Sequence, residues 1–196
     1  MISSIKALFP NLLKRNCKVF IRNVANSLQY YAGSGRFLFR SSPLRNKKVS
    51  KIIFVCKGNV CRSAFAEHRL KYLLDHDKVH IDSCGLDVNQ GSFPPHDSVA
   101  VAAEFSCMLA VRRAKGLAEC DMEGADLILA MEYWQYKRLV QIFPGKKENI
   151  LLLRSVASFP YCLFCNIADP YGWGEKEFRK AYRLIDRALC QIIRWC

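Results

Sequence analysis

Residues 52–63 read IIFVCKGNVCRS and decide the fold of this chain. The four consecutive apolar residues from Ile52 to Val55 are typical of a strand that is buried on both faces of a sheet. The loop 56–62 follows at once, and the pattern after it predicts a helix from Ser63 to about His76. Ligands of open α/β sheets bind beyond the carboxyl ends of the strands, so this loop lies where a binding site is expected.

Strands and helices alternate along the rest of the chain. The apolar patterns predict strands over 79–83, 127–130 and 150–153, and helices over 96–108, 133–143 and 175–193. Such alternation is typical of an α/β domain whose sheet is mainly parallel.

The loop 56–62 has the composition of a phosphate cradle. Cys56 ends the first strand, and Arg62 stands six positions later, where the helix begins. Backbone N–H groups of a curled loop converge on one anion, and Gly58 and Asn59 permit the unusual backbone angles that such a loop needs. The helix N-terminus attracts the same anion. The planar guanidinium of Arg62 matches two phosphate oxygens.

The residues around this loop also predict a reaction. A helix N-terminus and nearby cations favour the thiolate form of Cys56, which can attack phosphorus in line, and Ser63 can donate a hydrogen bond to it. Asp169, in a loop before the last helix, is the best candidate for a carboxyl group that acts first as acid and then as base. Tyr171 and Trp173 follow it and can flank a phenyl ring of a substrate.

The loop sequence, followed by Ala66-Glu67, resembles the signature of the low-molecular-weight protein tyrosine phosphatases. The segment 169–171 (Asp-Pro-Tyr) resembles the general-acid motif of that family, and 82–85, 95–97 and 125–131 resemble further family segments in the family's order. The resemblance covers roughly residues 49–194. It implies a four-stranded parallel sheet with helices on both faces, and hydrolysis of phosphotyrosine through a phosphocysteine intermediate without a metal or organic cofactor.

Roles are carried over from the family by position. The resemblance makes Cys56 the nucleophile, Arg62 the phosphate clamp and Asp169 the acid and then the base. The residues expected to bind the substrate or shape its loop are Lys57, Gly58, Asn59, Val60, Cys61, Ser63 and Tyr171. Cys61 also matches a cysteine that the family often places beside the nucleophile, where it can condense with the sulfenic acid of Cys56 and protect it from further oxidation.

Three positions depart from the family pattern. Ala64 replaces a frequent proline, which is expected to be harmless. Arg112 stands where many members have a histidine in a supporting network, so the rigidity of the loop can differ. No residue clearly matches the aromatic side chain that lines the family's substrate cleft, for which Phe93 is the candidate.

Other interpretations of the same residues stay open. An arsenate reductase of this fold needs a further pair of cysteines after the third strand, and residues 129–134 contain none. A non-catalytic phosphate-binding or adaptor protein is disfavoured by the presence of both Cys56 and Asp169. Taken singly, Cys56 can be a buried core cysteine and Asp169 a turn residue. The pair Cys162 and Cys165 can have a redox role or be incidental.

Residues 1–48 differ in charge from the remainder, which is predicted to be the catalytic domain, 49–196. They hold ten of the 30 Lys and Arg residues and none of the 17 acidic ones, so they carry +10 of the net +13. The nearly balanced remainder does not indicate a nucleic-acid partner. Within the basic part, 5–30 predicts an amphipathic helix that Pro10 breaks or starts, and 32–48 predicts a linker.

This basic arm has three interpretations. It can be a solvated tail, it can lie on an anionic membrane surface, or it can be an organellar transit segment. We favour the membrane surface, because each basic residue near such a surface contributes about 1 kcal/mol. No stretch reaches the roughly 20 apolar residues of a membrane span. Ten scattered cysteines without a disulfide-scaffold spacing predict free thiols and a cytoplasmic protein, peripherally bound to a membrane if the arm binds it.

Overall fold

The computed structural model describes residues 2–34, 49–74 and 78–196, with side chains in the first helix described over 17–33. Within these described ranges, five α-helices and four strands follow one another. Their bounds are α1 Ile2–Ser34, β1 Lys51–Cys56, α2 Arg62–Leu74, β2 His80–Gly85, α3 His96–Ala103, β3 Leu127–Ala130, α4 Tyr133–Ile142, β4 Ile150–Leu152 and α5 Glu175–Ile192.

The four strands form one parallel sheet in the order β2-β1-β3-β4. The chain moves from β1 outward to β2, and then crosses back to add β3 on the other side of β1. The strand order therefore reverses between β1 and β3, and at such a point the loops after the two strands diverge and leave a crevice. This crevice is where residues 56–62 and residues 131–132 meet.

The sheet separates two apolar layers. Ile52 and Phe54 of β1 pack with α2, α3 and α5, whereas Ile53 and Val55 pack with α1 and α4. Successive side chains of a strand point to opposite faces, so a strand that is covered on both sides must be apolar throughout. The predicted four-stranded parallel sheet with helices on both faces is confirmed.

Two local predictions about helices are wrong. The helix predicted over 96–108 ends at Ala103, because Ser106 has a left-handed backbone angle, φ 59°, that turns the chain back. Cys107 and Leu109 then enter the core from this turn. Pro10 does not end or begin the first helix, which runs through it from Ile2 to Ser34. The linker predicted over 32–48 begins too early, because α1 continues to Ser34. Its remainder over 35–48 and the end of the helix predicted to reach His76 lie outside the described residues.

The sequence did not predict that α1 packs against the remainder of the chain. Tyr30 is 2% exposed and contacts the ring of Tyr136 edge-on, with centroids 5.1 Å apart. Its hydroxyl accepts a hydrogen bond of 3.3 Å from the backbone N–H of Leu152 in β4. The C-terminal half of α1 thus covers part of one face of the sheet. Among the described residues, no helix has the length and apolarity that a membrane span requires.

Candidate active site

The loop after β1 folds around the sulfur of Cys56. The backbone N–H of Asn59 donates to Cys56 Sγ at 3.2 Å, and Ser63 Oγ lies 3.0 Å from the same sulfur. The left-handed backbone angle that the sequence predicted for Gly58 and Asn59 belongs to Asn59, φ 53°, and not to Gly58. Asparagine tolerates this conformation better than most side chains, because its short polar side chain can bond locally.

The side chain of Asn59 fixes the loop. Its amide nitrogen donates to Ser63 Oγ at 2.9 Å and to Ser83 Oγ at 2.8 Å. Its amide oxygen accepts from Arg112 Nη1 at 2.9 Å and from the backbone N–H of Lys115 at 2.8 Å. Since Ser63 Oγ accepts from Asn59, its own proton can point at Cys56 Sγ, 3.0 Å away, or at the more distant carbonyl of Cys84, 3.4 Å away. The arrangement is suited to stabilising a thiolate.

Arg112, which departs from the family pattern, lies inside this network. Its Nη2 donates to Glu67 Oε2 and to Ser83 Oγ, both at 2.6 Å, and Ser83 Oγ donates in turn to Glu67 at 2.7 Å. Burial by itself raises the pKa of Glu67, but the charge and hydrogen bonds around it, chiefly those of Arg112, bring that pKa below its ordinary value. A buried ion pair therefore supports the loop behind Asn59.

Arg62 is 1% exposed and is held from two sides. Its Nη1 donates to Glu132 Oε1 at 2.7 Å and to the backbone carbonyl of Ile167 at 2.9 Å, and its Nη2 lies 2.7 Å from Asp169 Oδ2. Burial alone lowers the pKa of Arg62, but the Cys56, Asp169 and Glu132 charges outweigh burial and raise it. The guanidinium is thus a permanent cation in the crevice.

One donor of this guanidinium is unused. Arg62 Nε is buried and has no hydrogen-bond partner in the part of the chain that the structure describes. A buried N–H without an acceptor is costly, and such groups in native proteins commonly mark a site for a ligand. The donor fits an oxygen of a bound phosphate group.

Sequence reasoning did not select Glu132. It stands two residues after β3, at the same edge of the sheet as the loop after β1, and it orients Arg62. The signal was present, because an acidic residue directly beyond a buried strand at a point of reversed strand order lies near any cation in the crevice.

A cleft of about 300 Å³ opens over the loop. Asp169 lines it with a side chain that is 40% exposed, so the carboxyl group reaches both Arg62 and the open cleft. The lining residues are Cys56, Lys57, Gly58, Val60, Cys61, Arg62, Asp87, Asp169, Tyr171 and Trp173. Every residue predicted to bind or react lines this cleft except Asn59 and Ser63. Asn59 belongs to the loop but not to the lining, and Ser63 lies in α2.

The walls of the cleft differ from the sequence prediction in two residues. Phe93 is not part of the lining; its ring lies under the guanidinium of Arg113, 5.3 Å away. Asp87, which sequence reasoning missed, is exposed and lines the cleft after the end of β2. The aromatic wall consists of Tyr171 and Trp173 from the segment that carries Asp169.

The fold and the cleft define an α/β protein of the cysteine-dependent phosphatase class. Comparison with known proteins gives the family. The family model of the low molecular weight phosphotyrosine protein phosphatases matches residues 51–194. The chain is 30% identical over 142 residues to the low molecular weight protein-tyrosine-phosphatase Wzb of Escherichia coli K12, which covers 72% of this chain and 92% of that protein.

Two further phosphatases are similar to this chain. The chain is 28% identical over 147 residues to the protein-arginine-phosphatase of Bacillus subtilis 168, covering 73% of this chain and 94% of that protein. The structure of the tyrosine phosphatase amsI of Erwinia amylovora superposes with a TM-score of 0.65 and 28% identity, covering 74% of this chain and 92% of that one. This chain belongs to the low molecular weight phosphotyrosine protein phosphatase family, and the protein-tyrosine-phosphatases among its relatives are phosphoric monoester hydrolases.

Proposed function

We propose that this protein hydrolyses phosphotyrosine in protein substrates, with Cys56, Arg62 and Asp169 as the catalytic residues. The observation that carries the proposal is one cleft that contains a thiol with two hydrogen-bond donors, an unused buried N–H of Arg62, and a half-exposed carboxyl group. Tyr171 and Trp173 support an aromatic substrate, because a phenyl ring can stack between two such side chains.

The first half of the reaction transfers the phosphoryl group to sulfur. Cys56 Sγ forms a bond to phosphorus while the bond from phosphorus to the tyrosine oxygen breaks. Asp169 gives its proton to that departing oxygen, which would otherwise leave as a phenoxide. Arg62 Nε and the loop N–H groups hold the phosphoryl oxygens, whose charge must be stabilised in the transition state.

The second half releases phosphate. Asp169, now a carboxylate, takes a proton from a water molecule, whose oxygen bonds to phosphorus as the sulfur–phosphorus bond breaks. Cys56 departs as a thiolate, and Ser63 Oγ at 3.0 Å is placed to donate to it. Lys57, Gly58, Val60 and Cys61 complete the wall of the phosphate site.

The test compares turnover of p-nitrophenyl phosphate by the wild type, Cys56→Ser and Asp169→Asn, with Cys190→Ser on the exposed side of α5 as the control. We expect no turnover for Cys56→Ser, a loss of about 10²–10⁴-fold for Asp169→Asn, and full activity for the control. Undiminished turnover by Cys56→Ser would overturn the proposal. Thiol-dependent reduction of arsenate by a wild type that does not hydrolyse the ester would favour the reductase alternative instead.

A second candidate substrate is phosphoarginine. The exposed carboxylate of Asp87 lines the cleft, where it can pair with the guanidinium group of such a substrate, and one relative carries the name protein-arginine-phosphatase. The test measures kcat/KM on two peptides that differ only in phosphotyrosine or phosphoarginine, for the wild type and Asp87→Asn. A preference for phosphoarginine that Asp87→Asn removes would favour this candidate over the first.

We also propose that the arm binds an anionic membrane surface from the cytoplasm. Ile21 and Leu28 are exposed and stand seven residues apart on one face of α1, and Lys18 and Arg22 are exposed beside them. The full chain should sediment with vesicles that contain phosphatidylserine, and not with phosphatidylcholine alone, and 0.5 M salt should weaken the binding. Failure to sediment at moderate salt would exclude the proposal.

A further inference from the structure

The inner face of α1 bonds to the segment that leads to Asp169. Ser27 Oγ accepts a hydrogen bond of 3.0 Å from the backbone N–H of Cys165, and Asn23 Oδ1 accepts one of 2.9 Å from Asn166 Nδ2. One turn further along the helix, the hydroxyl of Tyr31 donates to the carbonyl of Cys162. Three residues of α1, at spacings of four, therefore follow this segment from 162 to 166.

Asn166 joins α1 to the start of α4. Its amide oxygen accepts a hydrogen bond of 2.7 Å from the backbone N–H of Tyr133, while its amide nitrogen donates to Asn23. Tyr133 directly follows Glu132, the carboxylate that orients Arg62. Asn166 has both of its polar atoms engaged, so its position depends on α4 and α1 together.

The next residues connect this anchor to the reacting groups. The backbone N–H of Ile167 donates to the carbonyl of Met131 at 2.8 Å, and the carbonyl of Ile167 accepts from Arg62 Nη1 at 2.9 Å. Asp169 follows two residues later, and its carboxylate lies 2.7 Å from Arg62 Nη2. Only two residues therefore separate Asn166, which Asn23 holds, from Asp169.

A cavity of about 430 Å³ lies behind the same segment. Arg22 and Asn23 of α1 line one side, and Asp169 and Trp173 line the other. Since side chains do not fill this space, the acid-bearing segment is not held there by close packing. Hydrogen bonds from α1, together with the one of 2.9 Å that Arg154 Nη1 donates to the carbonyl of Asn166, hold it on this side.

We propose that Asn23 and Ser27 are positioning residues that hold segment 165–169 so that Asp169 can protonate the leaving group. This rests on the proposed function, in which Asp169 is the general acid. The α1 helix is then part of the catalytic unit and not an appendage to it. A displacement of about 1 Å at a reacting group can cost on the order of 100-fold in rate.

The experiment uses the full chain with Asn23→Ala, Ser27→Ala and the double variant, and two substrates. Phenyl phosphate has a poor leaving group that needs the proton, whereas p-nitrophenyl phosphate has a better one that needs it less. We expect kcat/KM, which reports the first phosphoryl transfer, to fall roughly 10-fold or more on phenyl phosphate in the double variant, with a several-fold smaller loss on p-nitrophenyl phosphate. Inhibition by inorganic phosphate should stay unchanged, because the cradle itself is intact.

Conservative and matched variants separate positioning from loss of structure. Ser27→Thr keeps the hydroxyl and Asn23→Asp keeps the accepting oxygen, so both should recover most of the rate on phenyl phosphate. Gln29→Ala, at an exposed position of the same helix, should change the rate on neither substrate. An equal loss on both substrates, or no loss on either, would overturn the proposal.

Asp169→Asn is measured in parallel, so that two failures remain distinct. If Asp169→Asn penalises phenyl phosphate more than p-nitrophenyl phosphate and the α1 variants do not, the positioning role is wrong and the acid role stands. If Asp169→Asn lowers the rates on phenyl phosphate and p-nitrophenyl phosphate equally, the proposed role of Asp169 is wrong. The positioning role of Asn23 and Ser27 is then wrong as well.

Discussion

Arg62 illustrates how one side chain combines charge and geometry. Glu132 and Asp169 hold its two terminal nitrogens, which leaves the buried Nε without a partner among the described residues. A lysine cannot reproduce this, because it has no planar fork. Arg62 was selected from the sequence alone. Its two carboxylate partners were not predicted as such, because they come from loops 70 and 107 positions away.

Cys61 carries a prediction about oxidation. Its side chain is buried, and burial raises the pKa of its thiol, with the neighbouring Cys56 and Asp169 charges adding to the effect. We expect peroxide-treated wild type to regain activity with added thiol, through a disulfide between Cys56 and Cys61, and Cys61→Ser to regain little, because its sulfenic acid oxidises further. The measurement is recovered turnover after a fixed peroxide dose. Cys190→Ser is the control, and full recovery by Cys61→Ser would exclude the disulfide.

The end of β2 and the loop after β1 approach each other closely at Gly85. A Cβ atom at this position would lie 2.6 Å from the carbonyl oxygen of Lys57 and 3.0 Å from the backbone N–H nitrogen of Asn59. Neither backbone atom can move without distorting the loop 56–62. This contact explains why the second strand ends in glycine, which sequence reasoning recorded only as part of a family segment.

Gly85→Ala should therefore lower phosphatase activity more than overall stability. We expect kcat/KM on p-nitrophenyl phosphate to fall by roughly 10-fold or more, since the loop N–H groups would lose their alignment on the phosphate. Gly145→Ala is the matched control, because a Cβ there meets nothing within 4 Å. Equal activities of the two variants would show that the loop tolerates the displacement.

The ion pair behind the loop links the stability of α2 and β2 to pH. The pKa of Glu67 lies below its ordinary value of 4.5 in the folded chain, so the unfolded chain binds a proton first as the pH falls. Its contribution to stability is complete above about pH 4.5 and is lost as the pH falls through the lower, folded-state pKa.

Glu67→Gln should accordingly flatten this dependence. The free energy of unfolding, measured in urea between pH 7 and pH 3.5, should fall less steeply below pH 4.5 in Glu67→Gln than in the wild type. Glu123→Gln, at an exposed position, is the control and should follow the wild type. If the free energy of unfolding of Glu67→Gln fell with pH as steeply as that of the wild type, Arg112 would not stabilise the ionised form of Glu67.

The molecule as a whole buries part of its basic arm. Tyr30 packs edge-on against Tyr31 and Tyr136, and its hydroxyl reaches the backbone of β4, so the C-terminal half of α1 shares a core with the sheet. The predicted boundary at residue 48 between the basic arm and the catalytic domain stays a prediction. The packing of α1 on residues 49–196 makes independent motion of residues 17–33 costly.

Tyr30→Ala tests this shared core. Truncating a buried aromatic side chain costs about 3–5 kcal/mol, so the free energy of unfolding of the full chain should fall by about that amount in a single transition. Leu28→Ala, 68% exposed on the same helix, should change it by less than about 0.5 kcal/mol. A Tyr30→Ala protein as stable as Leu28→Ala would mean that α1 does not share the core.

The fold and the chemistry of the loop were predictable because they are local. A buried strand, a turn and a helix N-terminus follow one another within 52–63, and the periodicity of each element reports its burial. The same holds for α4 and α5, whose bounds agree with prediction within a residue. The end of α3 was missed because a left-handed residue at Ser106 has no strong sequence signal.

The partners of the reacting groups depend on contacts between distant segments. The position of Glu132 directly beyond β3 was a signal, but Asp87 and Asn166 come from separate loops, and no spacing along the chain indicates that they meet the cleft and α1. The sequence did not predict the burial of α1 either, since the basic and apolar residues of this helix suit a membrane surface as well as a protein face. Hydrophobic periodicity records that a face is covered; only the folded chain determines which surface covers it.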